Sequence, residues 1–288
     1  NIRKLANLKG EQTANVGSQD MSVAVWITLA NRINELLASA DVDGIVVTHG
    51  TDTQEETAYF LNLVVKSDKP VVLTGSMRPS TALSAEGPLN LYNAVAVAAS
   101  PKARGYGVMV VMNDEIHSAH NVKKMMTTPV QTFQSPEEGA IGSVSFGDVQ
   151  FFHKPHGLNT TSSKFSITGV KELPRVDIVY GCADMSPDLI DIMVKAGAKG
   201  IVIAGVGDGN MNAATLEAMK KATKAGIAVV RASRVPVGTV LLHGEVNDEE
   251  YGSVSSMELN PQKARVLLML ALLTKPSRAD LQKMFLEY

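Results

Sequence analysis

Cysteine is almost missing from this chain: Cys182 stands alone among 288 residues. One cysteine excludes an intrachain disulfide and a cysteine-based zinc site. Few cysteines suit the cytosol and the bacterial periplasm equally, so the compartment stays open on this count. Long apolar runs are missing too. The longest near the C-terminus, Val266 to Leu273, falls far short of the roughly 18 residues that cross a bilayer, and no membrane helix is expected. Neither sign of charge dominates. With 27 Lys and Arg against 29 Asp and Glu, the net charge of -2 gives no general attraction for nucleic acid or an anionic membrane. Signatures of several enzyme classes are absent as well. There is no GxSxG nucleophile elbow. After Gly205 and Gly207, Asn210 takes the place of the third glycine of a dinucleotide loop. The pairs His117 with His120 and His153 with His156 have metal-like spacing but no further Asp, Glu or Cys cluster, so no metal and no organic cofactor are expected.

What is present describes a folded globular protein. Hydrophobic residues make up 45% and charged residues 19%, which argues against disorder, and the length suits two domains with substantial cores. Strands and helices alternate through the first part. Glu11–Val16 is expected as a strand, Val25–Leu37 as a helix, Lys69–Thr74 as a buried strand, Leu89–Ala99 as a helix and Gly107–Met112 as a strand ending at Asn113 and Asp114. From about Glu115 the rhythm changes, and Thr127 to Phe152 suggests a hairpin addition. His153 to Pro174, rich in Pro, Thr, Ser and Lys, reads as a linker. Alternation then resumes, with strands at Val176–Tyr180, Ile201–Ala204 and Ala228–Val230 between helices near Pro187–Ala196 and Ala213–Ala225. Asn260 followed by Pro261 marks a helix start. That helix is expected to reach about Lys275, and Ser277 with Asp280 begins a last one. No internal repeat is found. The expected organisation is α/β throughout: a larger N-terminal parallel-sheet domain with a hairpin addition over 1–152, a linker over 153–174, and a smaller C-terminal α/β domain over 175–288.

One stretch carries the candidate chemistry. Gly44 to Val65 reads GIVVTHGTDTQEETAYFLNLVV: a β-branched run that suits a buried strand, a small polar turn, then an apolar helical pattern. Thr53 with Glu56 has the form of a capping box. Thr51 and Asp52 therefore lie between the carboxyl end of a strand and the amino end of a helix, where open α/β sheets bind ligands. Such turns are rich in Thr and Asp, so these two residues read equally well as turn and cap residues alone.

THGTDTQEETAYF, with GSQDM at Gly17–Met21, GSMRP at Gly75–Pro79, SAEGPLNLYNAV at Ser84–Val95, VVMND at Val110–Asp114 and LNPQKARVLLMLAL at Leu259–Leu272, resembles the bacterial type II L-asparaginases. The likeness is collinear over nearly the whole chain. It implies hydrolysis of L-asparagine to aspartate and ammonia through a threonyl acyl-enzyme, with lower activity on L-glutamine. It also implies a periplasmic location and a homotetramer. Lys124, in NVKKMMTT, corresponds to the family's catalytic lysine and would join Thr51 and Asp52. A free amine, with a pKa of about 10.4, is nearly all protonated at neutral pH, so such a lysine would need burial to act as a base. Without the resemblance, Lys123 and Lys124 read as solvated charges. Amides around Gly50 and Thr51 would receive the oxyanion.

The same likeness sets Ser18 and Gln19 against the substrate α-carboxylate and Asp52 on its ammonium, with Ser76 also lining the pocket. GSQD by itself is an ordinary polar turn. Balanced glutaminases of the family tend to carry Glu at the Gln19 position, so asparagine is expected over glutamine. Asn210 and Glu245 match positions that reach the substrate from a neighbouring subunit; taken alone, Glu245 reads as a solvated loop acid. Asp208 stands where Asn is common, His120 where Arg is usual and Glu86 where Asp is commoner. The family opens with a strand and a TGGTIAG motif bearing a nucleophilic Thr, followed by a mobile lid. This chain begins after that point, and NIRKLANL resembles the tail of a helix, so an incomplete or processed product is expected. The competing class is an amino-acid-binding protein that holds asparagine or aspartate without turnover.

Overall fold

β-branched runs build the first sheet in this computed structural model, which describes residues 2–288. α1 (Val23–Ala38) precedes β1 (Ile45–Thr48), and α2 (Gln54–Val64) connects β1 to β2 (Val71–Thr74), which pairs with it in parallel, Thr48 opposite Thr74. After α3 (Gly87–Ala99), β3 (Val108–Met112) joins β2, also in parallel. Val72, Met109 and Val111 share one apolar cluster with Ala94, Ala96, Val97 and Ala98 of α3. By the two-residue period of a strand, the buried Val71, Leu73, Val108 and Val110 point to the other face. Burial on both faces explains why these strands are continuous apolar runs rather than alternating ones. β1 differs from expectation. It is only half-buried, because among the described residues it pairs with β2 alone and forms the edge of the sheet.

The chain then turns back. Asn113 and Asp114 both take positive φ, 51° and 65°, which suits a two-residue hairpin turn, and β4 (Glu115–Ser118) returns antiparallel to β3. β5 (Lys123–Lys124) and β6 (Phe133–Gln134) make a separate two-stranded ladder. β7 (Gly142–Ser145) and β8 (Asp148–Phe151) form the expected hairpin addition and extend the sheet to the order β1-β2-β3-β4-β7-β8. The sheet is therefore mixed, with a parallel half and an antiparallel half.

Two compact units result, Asn1–Glu172 and Leu173–Tyr288. Residues 153–172, most of the segment read as a linker, belong to the first. There Phe165 and Ile167 are buried, Ser163 Oγ donates to the Leu63 carbonyl at 2.6 Å, and Lys66 Nζ donates to the Ser163 carbonyl at 2.6 Å.

In the second unit β9 (Val176–Tyr180), β10 (Gly200–Gly205), β11 (Ala228–Ser233) and β12 (Val254–Ser255) are all parallel, in the order β12-β11-β10-β9. α4 (Asp188–Lys195), α5 (Ala213–Lys224) and the short α6 (Asp248–Tyr251) lie between strands, and α7 (Pro261–Ala271) and α8 (Arg278–Glu287) close the chain. Asn260 caps α7 as expected, its side chain accepting from Lys263 N at 3.1 Å. The helix stops at Ala271 rather than near Lys275, giving way to a 3-10 turn that ends with Lys275 at a φ of 50°.

Two further expectations are corrected. Glu11–Val16 is exposed and forms no strand, since none lies beside it among the described residues; instead Glu11 accepts two hydrogen bonds of 2.8 Å from Arg32 on α1. In the opening stretch read as a helix tail, Asn1 lies outside the described residues and Ile2–Lys4 is a single 3-10 turn. No helix among the described residues is long and apolar enough to cross a membrane.

Candidate active site

The turn after β1 and the turn after β2 leave the sheet side by side, because the strands are parallel and in register, and His49 N donates to the Thr74 carbonyl at 2.8 Å. A third turn, the 3-10 segment Ser18–Asp20 before α1, comes against the first of these. Ser18 Oγ accepts from Asp52 N at 3.1 Å, and Thr53 Oγ1 donates to the Ser18 carbonyl at 2.7 Å. The expected capping box is therefore not formed. Thr53 occupies the cap position of α2 but spends its hydroxyl on Ser18, a tertiary partner. Glycine makes the approach possible. A Cβ at Gly50 would stand 2.6 Å from Ser18 Oγ, and one at Gly75 would stand 2.3 Å from the His49 carbonyl oxygen.

Thr51, Asp52 and Lys124 meet at this junction. Lys124 Nζ donates to Thr51 Oγ1 at 3.0 Å and to Asp52 Oδ1 at 2.6 Å. The lysine side chain is 17% exposed and that of Asp52 is 59% exposed, so the amine is set back from solvent behind an accessible carboxylate. Glu55 fixes the lysine backbone: its Oε2 accepts from Lys124 N at 2.5 Å. Glu55 is buried in the first turn of α2, where helix amides favour negative charge. The amides of Gly50 and Thr51 donate to no other described residue, whereas that of Asp52 is taken by Ser18.

His49 closes the turn from behind. Its Nδ1 lies 2.6 Å from the Gly50 carbonyl and its Nε2 lies 2.9 Å from Thr57 Oγ1, which also accepts from Trp26 Nε1 at 2.8 Å. A carbonyl can only accept, so Nδ1 carries the proton, and in the neutral ring the Thr57 hydroxyl donates to Nε2. Burial pushes the imidazole pKa below its ordinary 6.5, and the Gly50 carbonyl offsets this only in part. The unfolded chain therefore takes up a proton at a pH where the folded chain does not. Stability should be complete above about pH 6.5 and fall as the pH drops toward the folded value. Thermal melts between pH 7.5 and 5 should show a shallower fall for His49→Gln than for the parent; parallel curves would remove His49 from the acid response.

The other expected residues in the first unit are less tightly placed. Gln19 is exposed and donates to Asp20 Oδ2 at 3.0 Å. Ser76 is exposed in the turn after β2 and lies against Gly87, with no hydrogen bond to Thr51 or Lys124 among the described residues. Glu86 steadies that turn, since its carboxylate accepts from Met77 N and, at 3.3 and 3.4 Å, from Arg78 N. His120 is buried beside Tyr59, with ring centroids 6.1 Å apart.

In the second unit the chain leaves β10 into a turn in which Val206 and Asn210 exchange backbone hydrogen bonds of 2.8 and 2.9 Å. Asn210 Nδ2 donates to Glu245 Oε2, so these two expected residues are brought together although 35 positions apart. Asp208 Oδ1 accepts from Leu241 N at 2.8 Å, tying the turn to the loop that carries Glu245. No group of three or more His, Cys, Asp or Glu among the described residues could hold a metal ion.

Glu55, His49 and Arg231 have no role that motif or spacing announces. Glu55 and His49 look like an ordinary first-turn acid and a turn residue. Arg231 did carry a signal, a charge inside the apolar strand AVVRAS.

The family model for the N-terminal asparaginase domain matches residues 1–157, and that for the glutaminase/asparaginase C-terminal domain matches residues 175–285. The chain is 48% identical over 287 residues to a probable periplasmic L-asparaginase of Haemophilus influenzae, covering all of this chain and 82% of that one. It is 50% identical over 287 residues to L-asparaginase 2 of Bacillus subtilis, again over all of this chain and 76% of the relative. A glutaminase-asparaginase of Pseudomonas fluorescens is 46% identical over 288 residues, which are all of this chain and 79% of the relative. With both of its units matched in order, the chain belongs to the asparaginase family.

Proposed function

We propose that this chain hydrolyses L-asparagine to aspartate and ammonia through a threonyl acyl-enzyme, with lower activity on L-glutamine. The observation that carries the reading is the contact of Lys124 Nζ with both Thr51 Oγ1 and Asp52 Oδ1. A hydroxyl is a poor nucleophile until a base takes its proton. With the amine neutral, the same 3.0 Å contact runs from hydroxyl to nitrogen. A threonine oxygen then bonds to the side-chain amide carbon, the C–N bond breaks, and nitrogen leaves as ammonia with the transferred proton. Water hydrolyses the resulting ester to aspartate.

The unengaged Gly50 and Thr51 amides suit the oxyanion. Ser18 and Gln19 take the substrate carboxylate, and Asp52, whose Oδ1 holds Lys124, offers Oδ2 to the ammonium. Ser76 lines the pocket. Asn210 and Glu245 are supplied by a neighbouring copy, so that the site is complete only in the homotetramer. The reaction needs no metal or organic cofactor. A periplasmic location is supported by the relative from Haemophilus influenzae, whose name places it there. The reading as a binder without turnover finds no support in the relatives, which bear enzyme names.

Ammonia release measured with both amides tests the proposal. Release from L-asparagine, matched by aspartate and faster than release from L-glutamine, is expected. A folded assembly releasing none from either amide would overturn it.

A further inference from the structure

Arg231 sits in the middle of β11 with its side chain 0% exposed, and its partner Asp248 is 2% exposed. Nε donates to Asp248 Oδ1 and Nη2 to Oδ2, each at 2.6 Å, in a two-pronged fork. Ser253 Oγ donates to the same Oδ1 at 2.6 Å. The guanidinium does not stop at this pair. Nη1 donates to the Asp208 carbonyl at 3.0 Å and Nη2 donates again, to the Leu241 carbonyl, at 3.2 Å.

Those carbonyls belong to two separate loops. Asp208 lies in the turn that ends at Asn210, and Leu241 lies in the loop that leads to Glu245. The loops are also tied to each other by Leu241 N on Asp208 Oδ1 at 2.8 Å, and Ser233 Oγ, two residues beyond Arg231, donates to the Gly207 carbonyl at 2.6 Å. The fit is close: a Cβ at Gly209 would lie 3.1 Å from Arg231 Nη1. One rigid, planar cation thus holds both loops at a fixed distance from the sheet.

We propose that Arg231 is a positioning residue for the Asn210 and Glu245 pair, setting the two side chains in the geometry in which they meet substrate. The inference rests on the reading above, in which that pair reaches the substrate from a neighbouring copy and completes the site. A buried arginine kept for stability alone would satisfy the same donors, so the test must read geometry at the pair rather than folding.

Arg231→Lys supplies it. Lysine keeps the charge beside Asp248 but, as a point charge on a flexible stem, cannot hold a carboxylate and two loop carbonyls at once. The expected result is a cooperatively melting protein whose KM for L-asparagine rises about tenfold, with kcat within about threefold of the parent, the pattern of lost ground-state grip. Asn210→Ala should raise KM similarly, and the double variant should be little worse than either single one, because residues acting through one another are not additive. If Arg231→Lys does not fold, Arg231→Met with Asp248→Leu removes both charges together, a replacement often tolerated for buried pairs, and carries the same cycle.

KM effects that simply multiply, or unchanged kinetics in a folded variant, would overturn the positioning role. So would loss of folding in both replacements, which assigns Arg231 to stability. Asn210→Ala with unchanged kinetics would instead remove the reading on which the inference stands, and that outcome is distinguishable because it needs no change at Arg231.

Discussion

Lys124→Met will fold like the parent and release ammonia from L-asparagine at least about a thousandfold more slowly, within the range that general-base groups contribute. Methionine matches the lysine stem in length and volume but can neither take a proton nor bond Thr51 Oγ1 and Asp52 Oδ1, the two acceptors of Nζ. Little stability is at stake. Asp52 is 59% exposed and regains water when the amine is removed, and Glu55 still receives the backbone N–H of residue 124 at 2.5 Å. Lys124→Arg sharpens the result. Arginine restores the positive charge but does not give up its proton at any working pH, so it too should be silent if Lys124 serves as the base and active if it supplies only charge. Thermal melts with ammonia assays on the three proteins decide it. Appreciable release by the folded Met variant would take Lys124 out of the mechanism.

The second large effect is a recovery. Thr51→Val and Glu245→Ala should each be nearly inactive as pure assemblies, the first for want of the hydroxyl beside Lys124 and the second for want of the carboxylate that a neighbouring copy brings to the site. When equal amounts are mixed and subunits exchange, sites built from an intact Thr51 on one copy and an intact Glu245 on another should appear. For random pairing in a symmetric oligomer this restores about a quarter of the parental activity. No recovery after exchange has been verified by mass would show that each copy completes its own site, and a pure Glu245→Ala assembly that keeps the parental rate would show that Glu245 is not needed. Either outcome would end the shared-site reading.

Much of the fold was legible because its signals are local. The β-branched run of β1, the polar turn and the apolar face of α2 lie within one stretch, and Asn260 with Pro261 announces α7 through a side chain that reaches three residues ahead. Asn113 and Asp114 end β3 where expected, in the left-handed conformations that those residue types tolerate. Local signals misled where a distant partner competed for the same atom. Thr53 was expected to cap α2 with Glu56, yet its hydroxyl goes to Ser18, 35 positions away. Glu11–Val16 has the look of a strand but no neighbour among the described residues, and a strand without a ladder leaves its backbone groups unpaired. Glu55 carries no sign of its role in the sequence because nothing within one turn of it shows that it will receive the amide of Lys124, 69 positions on.

The amino-acid order alone determined the alternation of strands and helices, the two-unit plan and the residue types that could do amide chemistry, because periodicity, capping and motif order are written within a few residues. Only the folded chain decided that the Lys124 amine reaches Thr51 across 73 positions and that Asn210 reaches Glu245 across 35. A hydrogen bond depends on distance and angle between atoms that the chain brings together only after its sheets are packed, and no local pattern encodes that meeting.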